Sequence, residues 1–265
     1  MILKAFALLF CVSLCWAQAA DVSGKLSRVC VNGHLEAGAN VASPDQVLCQ
    51  FDAVPPSPDL LEEQLRLLAS NPRNPKLHLA VGLAYLNRAD TNHWEYLESA
   101  KEHLTAARDA YPKDPFILMY LGRATGAQAL NLKPSIYTRL KAARSGFRLM
   151  DMAIKLHPDC VFLSLLRGEA ELMAHPVLRR GERLRQDAET IANFIGSEEF
   201  SKLSEYQQAR MHLFLGCFYE KTKASQAEIE SQWRLAWNKA EGTDLGNEAK
   251  ARLKGGWENI GYTEE

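Results

Sequence analysis

Four apolar segments of the chain each contain a glycine at an equivalent position, and this recurrence constrains the fold more than any other feature. The glycines are Gly82, Gly122, Gly168 and Gly216, separated by steps of 40, 46 and 48 residues. Each lies within a run whose apolar spacing is helical. A glycine inside a helix costs about 1 kcal/mol relative to alanine, so four in equivalent positions indicate a shared packing reason. We expect a neighbouring helix to cross closely at each of them.

Second helices are predicted after the first, second and fourth glycine, and alanines recur in them at matching places. Pro112 and Pro158 end two of these helices five residues after an alanine, since proline cannot continue a helix. Small side chains shorten the distance between packed helices. We therefore expect Ala107, Ala153 and Ala236 to pack against the glycine-bearing helices.

The remaining sequence also predicts an all-α chain. No stretch shows the sustained apolar–polar alternation of an internal strand. A content of 47% hydrophobic and 24% charged residues excludes a disordered chain. We predict an α-solenoid of stacked antiparallel helix pairs over residues 59–242, followed by a capping helix and tail at residues 243–265. A helical bundle without repeats is the alternative that the apolar spacing leaves open.

This arrangement resembles the tetratricopeptide repeat (TPR) family over residues 60–240. The first helix of that family has an apolar residue before a glycine and an aromatic residue three positions after it. Gly82 with Tyr85, and Gly216 with Tyr219, match this pattern. The family repeat has a length of about 34 residues, and every step between the recurring glycines here is longer. The resemblance is therefore to a degenerate form of the repeat.

The resemblance implies a non-catalytic scaffold that binds a protein or peptide partner. Stacked helix pairs form a concave surface suited to an extended peptide or to a helix of another protein. A narrower resemblance, to the exported helical-repeat component associated with some tripartite solute-uptake systems, is one alternative. An all-α hydrolase of envelope polymers and a small-ligand carrier built as a closed ring of repeats are the others.

The N-terminal segment 1–19 is typical of a secretory signal peptide. Lys4 precedes an apolar run at residues 5–14, and a small-x-small pattern ends at Ala19. We predict cleavage after Ala19 and an exported protein, periplasmic or secreted, that binds its partner in the cell envelope. Two alternatives remain: a lipoprotein signal ending at Cys15, and a buried N-terminal helix.

Residues 20–58 form a predicted N-terminal extension that ends in a proline-rich linker. Cys30 and Cys49 lie in this loop-rich segment, and oxidising compartments favour bridges in such segments. We predict a Cys30–Cys49 disulfide, which would stabilise the fold by about 3 kcal/mol by closing a loop of about 20 residues. Cys160 and Cys217 lie in helical apolar patterns, where cysteine often acts as a small hydrophobic residue.

Two features are candidate partner-binding surfaces. Four arginines lie within seven residues and suit an anionic partner, although a solvated face with internal ion pairs is the alternative. Two aromatic residues lie in the segment inserted between two predicted helices. The candidate residues are Arg179, Arg180, Arg183, Arg185, Trp94 and Tyr96.

The sequence predicts no catalytic residue, metal site or cofactor. It contains no HExxH, no GxSxG, no glycine-rich phosphate loop and no close His/Cys set. We expect His78 and His212, each four residues before a recurring glycine, to pack inside helix pairs. A net charge of −1 gives no reason to expect a nucleic-acid partner. No segment after the signal is apolar enough to predict a stable membrane span.

Overall fold

The computed structural model describes residues 58–89, 94–131 and 134–255, and it contains helices but no strand among these residues. The predictions for residues 1–57 and 256–265, including the signal peptide and the Cys30–Cys49 bridge, lie outside the described residues. The α-helices are α1 (Pro58–Ser70), α2 (Pro75–Arg88), α3 (Glu95–Ala110), α4 (Pro115–Ala127), α5 (Ile136–Leu156), α6 (Val161–Leu172), α7 (Gly181–Ile195), α8 (Glu198–Ser201), α9 (Glu205–Thr222), α10 (Gln226–Lys239) and α11 (Asp244–Gly255).

The described residues fall into two compact units, 58–167 and 168–255. In the first unit α2 packs against α3 and α4 packs against α5, while α1 contacts α2 and α3 contacts α4. In the second unit α9 packs against α10, α10 contacts α11, and α7 contacts α9. Over the described residues, the prediction of an all-α fold with stacked neighbouring helix pairs is therefore confirmed.

Equivalent proline turns begin α2 and α4. Asn74 and Asp114 each precede a proline in the first helical turn, and their side chains accept hydrogen bonds from the N–H groups of Lys76 (3.0 Å) and Phe116 (2.9 Å). Proline fits this position because its missing N–H has no partner inside the helix there, and the capping side chain satisfies a neighbouring N–H. The recurring glycine follows eight residues after each cap. Local sequence therefore fixes where these two helices begin.

Two of the recurring glycines lie at helix crossings in the first unit. A Cβ added at Gly82 would lie 2.8 Å from Leu104 Cγ on α3. A Cβ at Gly122 would lie 2.8 Å from the carbonyl oxygen of Gly146 and 2.8 Å from Met150 Cγ, both on α5. Both helix pairs are therefore packed so closely that only a hydrogen fits at the glycine.

The other two glycines lie at close contacts in the second unit. A Cβ at Gly216 would lie 2.5 Å from Trp233 Nε1 on α10. A Cβ at Gly168 would lie 2.7 Å from Phe214 on α9, and 3.4 Å from the Cβ of Asp187 on α7. Gly168 thus meets the helix that carries the next glycine more closely than it meets its own following helix, α7. This difference limits the regularity of the repeat at its third member.

The three alanines of the second helices are completely buried. Ala107, Ala153 and Ala236 lie on α3, α5 and α10, on the faces that pack against the glycine-bearing helices. Each follows by three residues a larger side chain that packs on a recurring glycine: Leu104, Met150 and Trp233. Across the described part of the chain, none of the helices combines the length and apolar character needed to cross a bilayer.

Candidate partner-binding surface

Helix α5 has one buried face and one exposed cationic face. Its first turn is capped by Ser135, whose hydroxyl accepts a hydrogen bond from the N–H of Thr138. The helix ends at Leu156, and the capping residue His157 is followed by a proline. Over 21 residues it is long enough to extend about 30 Å. The buried face packs against α4; its buried residues are Ala143, Gly146, Phe147, Met150 and Ala153.

The opposite side of α5 carries four exposed cations in a row. Lys141, Arg144, Arg148 and Lys155 follow one another at intervals of three, four and seven residues, which places them on one side of a helix. All four side chains are exposed. None of them has an ion pair or a side-chain hydrogen bond to any residue that the structure describes. We call these four residues the α5 cationic face.

Acidic residues are scarce in the sequence around the α5 cationic face. Asp151 is the only acidic residue of α5, and its Oδ1 accepts a hydrogen bond of 3.0 Å from Arg167 Nη1. The segment 115–150, which includes all of α4 and most of α5, contains no aspartate or glutamate at all. The segment around Lys141, Arg144 and Arg148 therefore offers these cations few acidic neighbours along the chain.

The predicted arginine cluster divides into side chains with different roles. Arg180 makes an ion pair with Glu171, with Nε donating to Oε1 at 2.9 Å, and the Glu171 side chain is fully buried. Arg185 is exposed and donates to Glu182 at 2.5 Å; this hydrogen bond raises the pKa of Arg185. Arg179 and Arg183 are also exposed. Arg180 thus links the start of α7 to α6, and its side chain is only 11% exposed, whereas that of Arg185 is 58% exposed.

The predicted aromatic pair is partly buried within the first helix pairs. Trp94 precedes the first residue of α3, and Tyr96 lies in its first turn. The ring of Tyr96 is 5.7 Å from that of Tyr85 on α2, measured between centroids. Both predicted residues are intermediate in exposure. Tyr96 therefore packs in the contact between α2 and α3.

A histidine pair lies beside this aromatic contact. His78 Nδ1 and His103 Nδ1 are 2.9 Å apart, and His78 Nε2 is 3.1 Å from the carbonyl oxygen of Pro72. Because a carbonyl only accepts, His78 Nε2 carries a proton, so in neutral His78 Nδ1 is bare and accepts from His103 Nδ1–H. Burial lowers the pKa of His103, His78 lowers it further, and Glu102 opposes the shift. The ring of Tyr85 stacks on His103.

The equivalent place in the second unit holds a similar polar pair. His212 Nδ1 is 2.8 Å from Gln232 Oε1. His212 lies four residues before Gly216, and Gln232 comes directly before Trp233, which packs on that glycine. Burial lowers the pKa of His212. The two histidine positions thus share a place relative to the glycine, and each pairs with a polar residue of the following helix.

The end of the second unit is held by a buried arginine. Arg252 on α11 donates to Glu248 at 2.8 Å and to Glu220 on α9 at 3.3 Å, and its guanidinium lies 5.7 Å from the Trp233 ring centroid. Beside it, Cys217 is a free thiol. Burial raises the pKa of Cys217 to about 12, although Arg252 favours the thiolate. The arrangement fixes α11 on the preceding pair.

No metal-binding group was found in the part of the chain that the structure describes: no three His, Cys, Asp or Glu side chains are grouped to hold an ion. The α5 cationic face was missed at the level of sequence because the arginines at 179–185 are closer together. Its signal was the acid-free run of residues 115–150 combined with helical spacing of its cations.

No family model, no curated protein and no solved structure matches this chain.

Proposed function

We propose that this chain is an exported, non-catalytic helical scaffold whose α5 cationic face binds an acidic protein or peptide segment. The observation that carries the proposal is the row of four exposed cations on α5, which has no ion pair among the described residues. Exposed cations on a helix can pair with acidic side chains of the same helix, as Arg185 does with Glu182. A row left without them attracts and orients an acidic partner.

The helix pairs support a scaffold of the TPR-like type. The glycine contacts of α2, α4 and α9 follow one pattern, in which the glycine of a first helix accommodates a larger residue of the second. We propose that these pairs are degenerate TPR-like repeats of an α-solenoid, exported after cleavage at Ala19 and stapled by Cys30–Cys49. The solute-uptake and hydrolase alternatives stay predictions, and no observation above favours either.

A binding experiment with a defined acidic probe tests the proposal. A fluorescein-labelled polyglutamate peptide of about 20 residues would be titrated with the mature protein at low salt, and anisotropy would be measured. We expect Arg144→Glu with Arg148→Glu to weaken binding by about tenfold or more, because two attractions become repulsions. Binding should also weaken with added salt.

Two matched double variants serve as controls. Arg73→Glu with Lys113→Glu makes the same charge change at exposed proline turns of the same unit. Arg179→Glu with Arg183→Glu makes it in the arginine cluster. Both should bind the probe within about twofold of the unmodified protein. Equal losses in all three variants would show that net charge alone governs binding, and the α5 cationic face would then have no special role.

A further inference from the structure

The α5 cationic face is part of a longer row that includes apolar side chains. Tyr137, which is 83% exposed, precedes Lys141 by four residues, and Met152, which is 44% exposed, follows Arg148 by four. The row from Tyr137 to Lys155 therefore advances by steps of four, three, four, four and three residues. It covers about 27 Å of the helix, at a rise of about 1.5 Å per residue. We call these six residues the α5 row.

The spacing of the α5 row matches another helix better than an extended peptide. Its members lie about 4.5 or 6 Å apart along the axis, which is the spacing that any helix presents along one face. Same-side residues of an extended chain are about 6.6 Å apart. If one residue of an extended chain lies level with Tyr137, the second residue after it on the same side lies about 13 Å further along the axis. That point is midway between Arg144 and Arg148, where the α5 row has no member. A helix matches every member of the row.

A lipid surface fits the α5 row less well than a helix. Interfacial amphipathic helices insert a continuous apolar face into the bilayer. The apolar face of α5, which includes Phe147 and Met150, is buried instead. The apolar members of the α5 row, Tyr137 and Met152, are about 22 Å apart along the axis, with only cations of the row between them. The other exposed large apolar side chains of α5, Ile136 and Leu156, are its first and last residues and do not fill this interval. Four cations alone would add about 1 kcal/mol each at an anionic surface.

We infer that the α5 row binds an acidic α-helix of the partner, lying along α5. This inference rests on the proposed function and specifies the conformation of the partner. Carboxylates of that helix, three and four residues apart, pair with Lys141, Arg144 and Arg148. Apolar side chains at either end of the carboxylates cover Tyr137 and Met152. These apolar contacts add to the charge pairs, each of which contributes little by itself at an exposed surface.

Two peptides of identical composition test the conformation. Each has about 20 residues, rich in alanine, with glutamates and two leucines. In the first peptide the glutamates lie along one helical face, three and four residues apart, between the leucines. In the second they are distributed around the helix. Binding to the mature protein would be measured by anisotropy, and circular dichroism would follow the helicity of each peptide.

We expect the one-face peptide to bind about tenfold more tightly and to gain helicity when bound. Tyr137→Ser should weaken binding of the one-face peptide about threefold. It should not change protein stability, because Tyr137 is almost fully exposed. Val177→Ser, at a half-exposed apolar residue of the second unit, is the matched control and should have no effect.

The outcomes separate the inference from the proposed function. Equal binding of the two peptides, with Arg144→Glu/Arg148→Glu still weakening both, would overturn the helical partner and leave the scaffold proposal intact. Undiminished binding of both peptides to that double variant would overturn both. A vesicle of phosphatidylcholine with phosphatidylglycerol forms the third arm. If the protein bound that vesicle more tightly than the one-face peptide, the inference of a helical partner would be overturned in favour of a lipid surface.

Discussion

Single residues determine how closely the helices of the first unit approach. Gly122 is the clearest example, because its missing side chain faces both a carbonyl oxygen of α5 and the side chain of Met150. A flexible side chain can move aside, but the Gly146 carbonyl belongs to a helix that is itself packed against α4. The contact therefore tolerates no added methyl group without a shift of the backbone.

We predict that Gly122→Ala destabilises the protein by about 1–3 kcal/mol, because overpacking of a close crossing exceeds the gain in helix propensity. Gly181→Ala is the control, since a Cβ there meets nothing within 4 Å, and it should be neutral or slightly stabilising. Urea denaturation would measure both free energies of unfolding. A Gly122→Ala protein as stable as the Gly181→Ala protein would contradict the close crossing.

The His78–His103 pair makes stability depend on pH. Burial and the neighbouring His78 lower the pKa of His103 below its ordinary value of 6.5, and Glu102 only partly opposes this. In the window between that ordinary value and the lower folded value, the unfolded chain therefore binds more protons than the folded chain. Stability is then lost as the pH falls through this window, and the contribution of His103 is flat above it.

We predict that His103→Gln, which keeps a donor for His78, reduces the loss of stability between pH 7.5 and pH 5. The free energies of unfolding of the unmodified protein and the variant would be compared at several pH values. The carboxylates of both proteins titrate alike, so the difference between the two curves reports on His103. Parallel curves for the two proteins would show that His103 titrates as it does in the unfolded chain.

At the scale of elements, buried ion pairs connect helices of the second unit that are not held together by glycine contacts alone. Arg180 at the start of α7 pairs with Glu171 on α6, and Arg210 on α9 donates to Glu169 on α6 through both Nε (2.6 Å) and Nη2 (2.8 Å). Within the second unit α6 is therefore tied by charge to two other helices. Removing either partner of such a pair is destabilising, because a buried charge would lose its counter-ion.

We predict that Arg180→Ala costs about 3 kcal/mol of stability, since the Glu171 side chain is completely buried and Arg180 is only 11% exposed. Arg185→Ala, which removes an exposed pair with Glu182, should leave the free energy of unfolding almost unchanged. Thermal and urea denaturation would compare the two variants. Equal and small losses would mean that Glu171 is satisfied without Arg180.

The sequence predicted the helix pairs well because the signals that define them are local. Apolar spacing, the proline turns and a glycine at a fixed distance from the cap of α2 and α4 are all visible within a few helical turns. The partners of Arg180 and Arg210 were not predictable in this way. Arg210 and Glu169 are far apart along the chain, and only the packing of α9 beside α6 brings them together.

The candidate site was only partly predictable for a similar reason. Four arginines close together in sequence suggested one surface, but the burial of Glu171 withdraws Arg180 from it. The α5 cationic face was less obvious because its members are spread along the helix from Lys141 to Lys155. Whether a cation has a neighbouring acid depends on tertiary packing, which spacing along the chain does not specify.

At the scale of the whole molecule, export would decide the chemistry available to the cysteines. We predict that the exported protein begins at Ala20, carries no lipid, and links Cys30 to Cys49. Intact-mass measurement and non-reducing peptide mapping would check these three points. A lipid on Cys15 would identify a lipoprotein instead, and free thiols at both Cys30 and Cys49 would exclude the bridge.

The raised pKa of Cys217 has a consequence for oxidative folding. A thiol with a pKa of about 12 has about a thousandfold less thiolate at neutral pH than one with the ordinary value of 9. Only the thiolate attacks disulfides, so folding of the C-terminal helices would slow exchange of Cys217 with a disulfide. In an exported protein with the proposed Cys30–Cys49 bridge, exchange through this sulfur would therefore be concentrated in the period before those helices form.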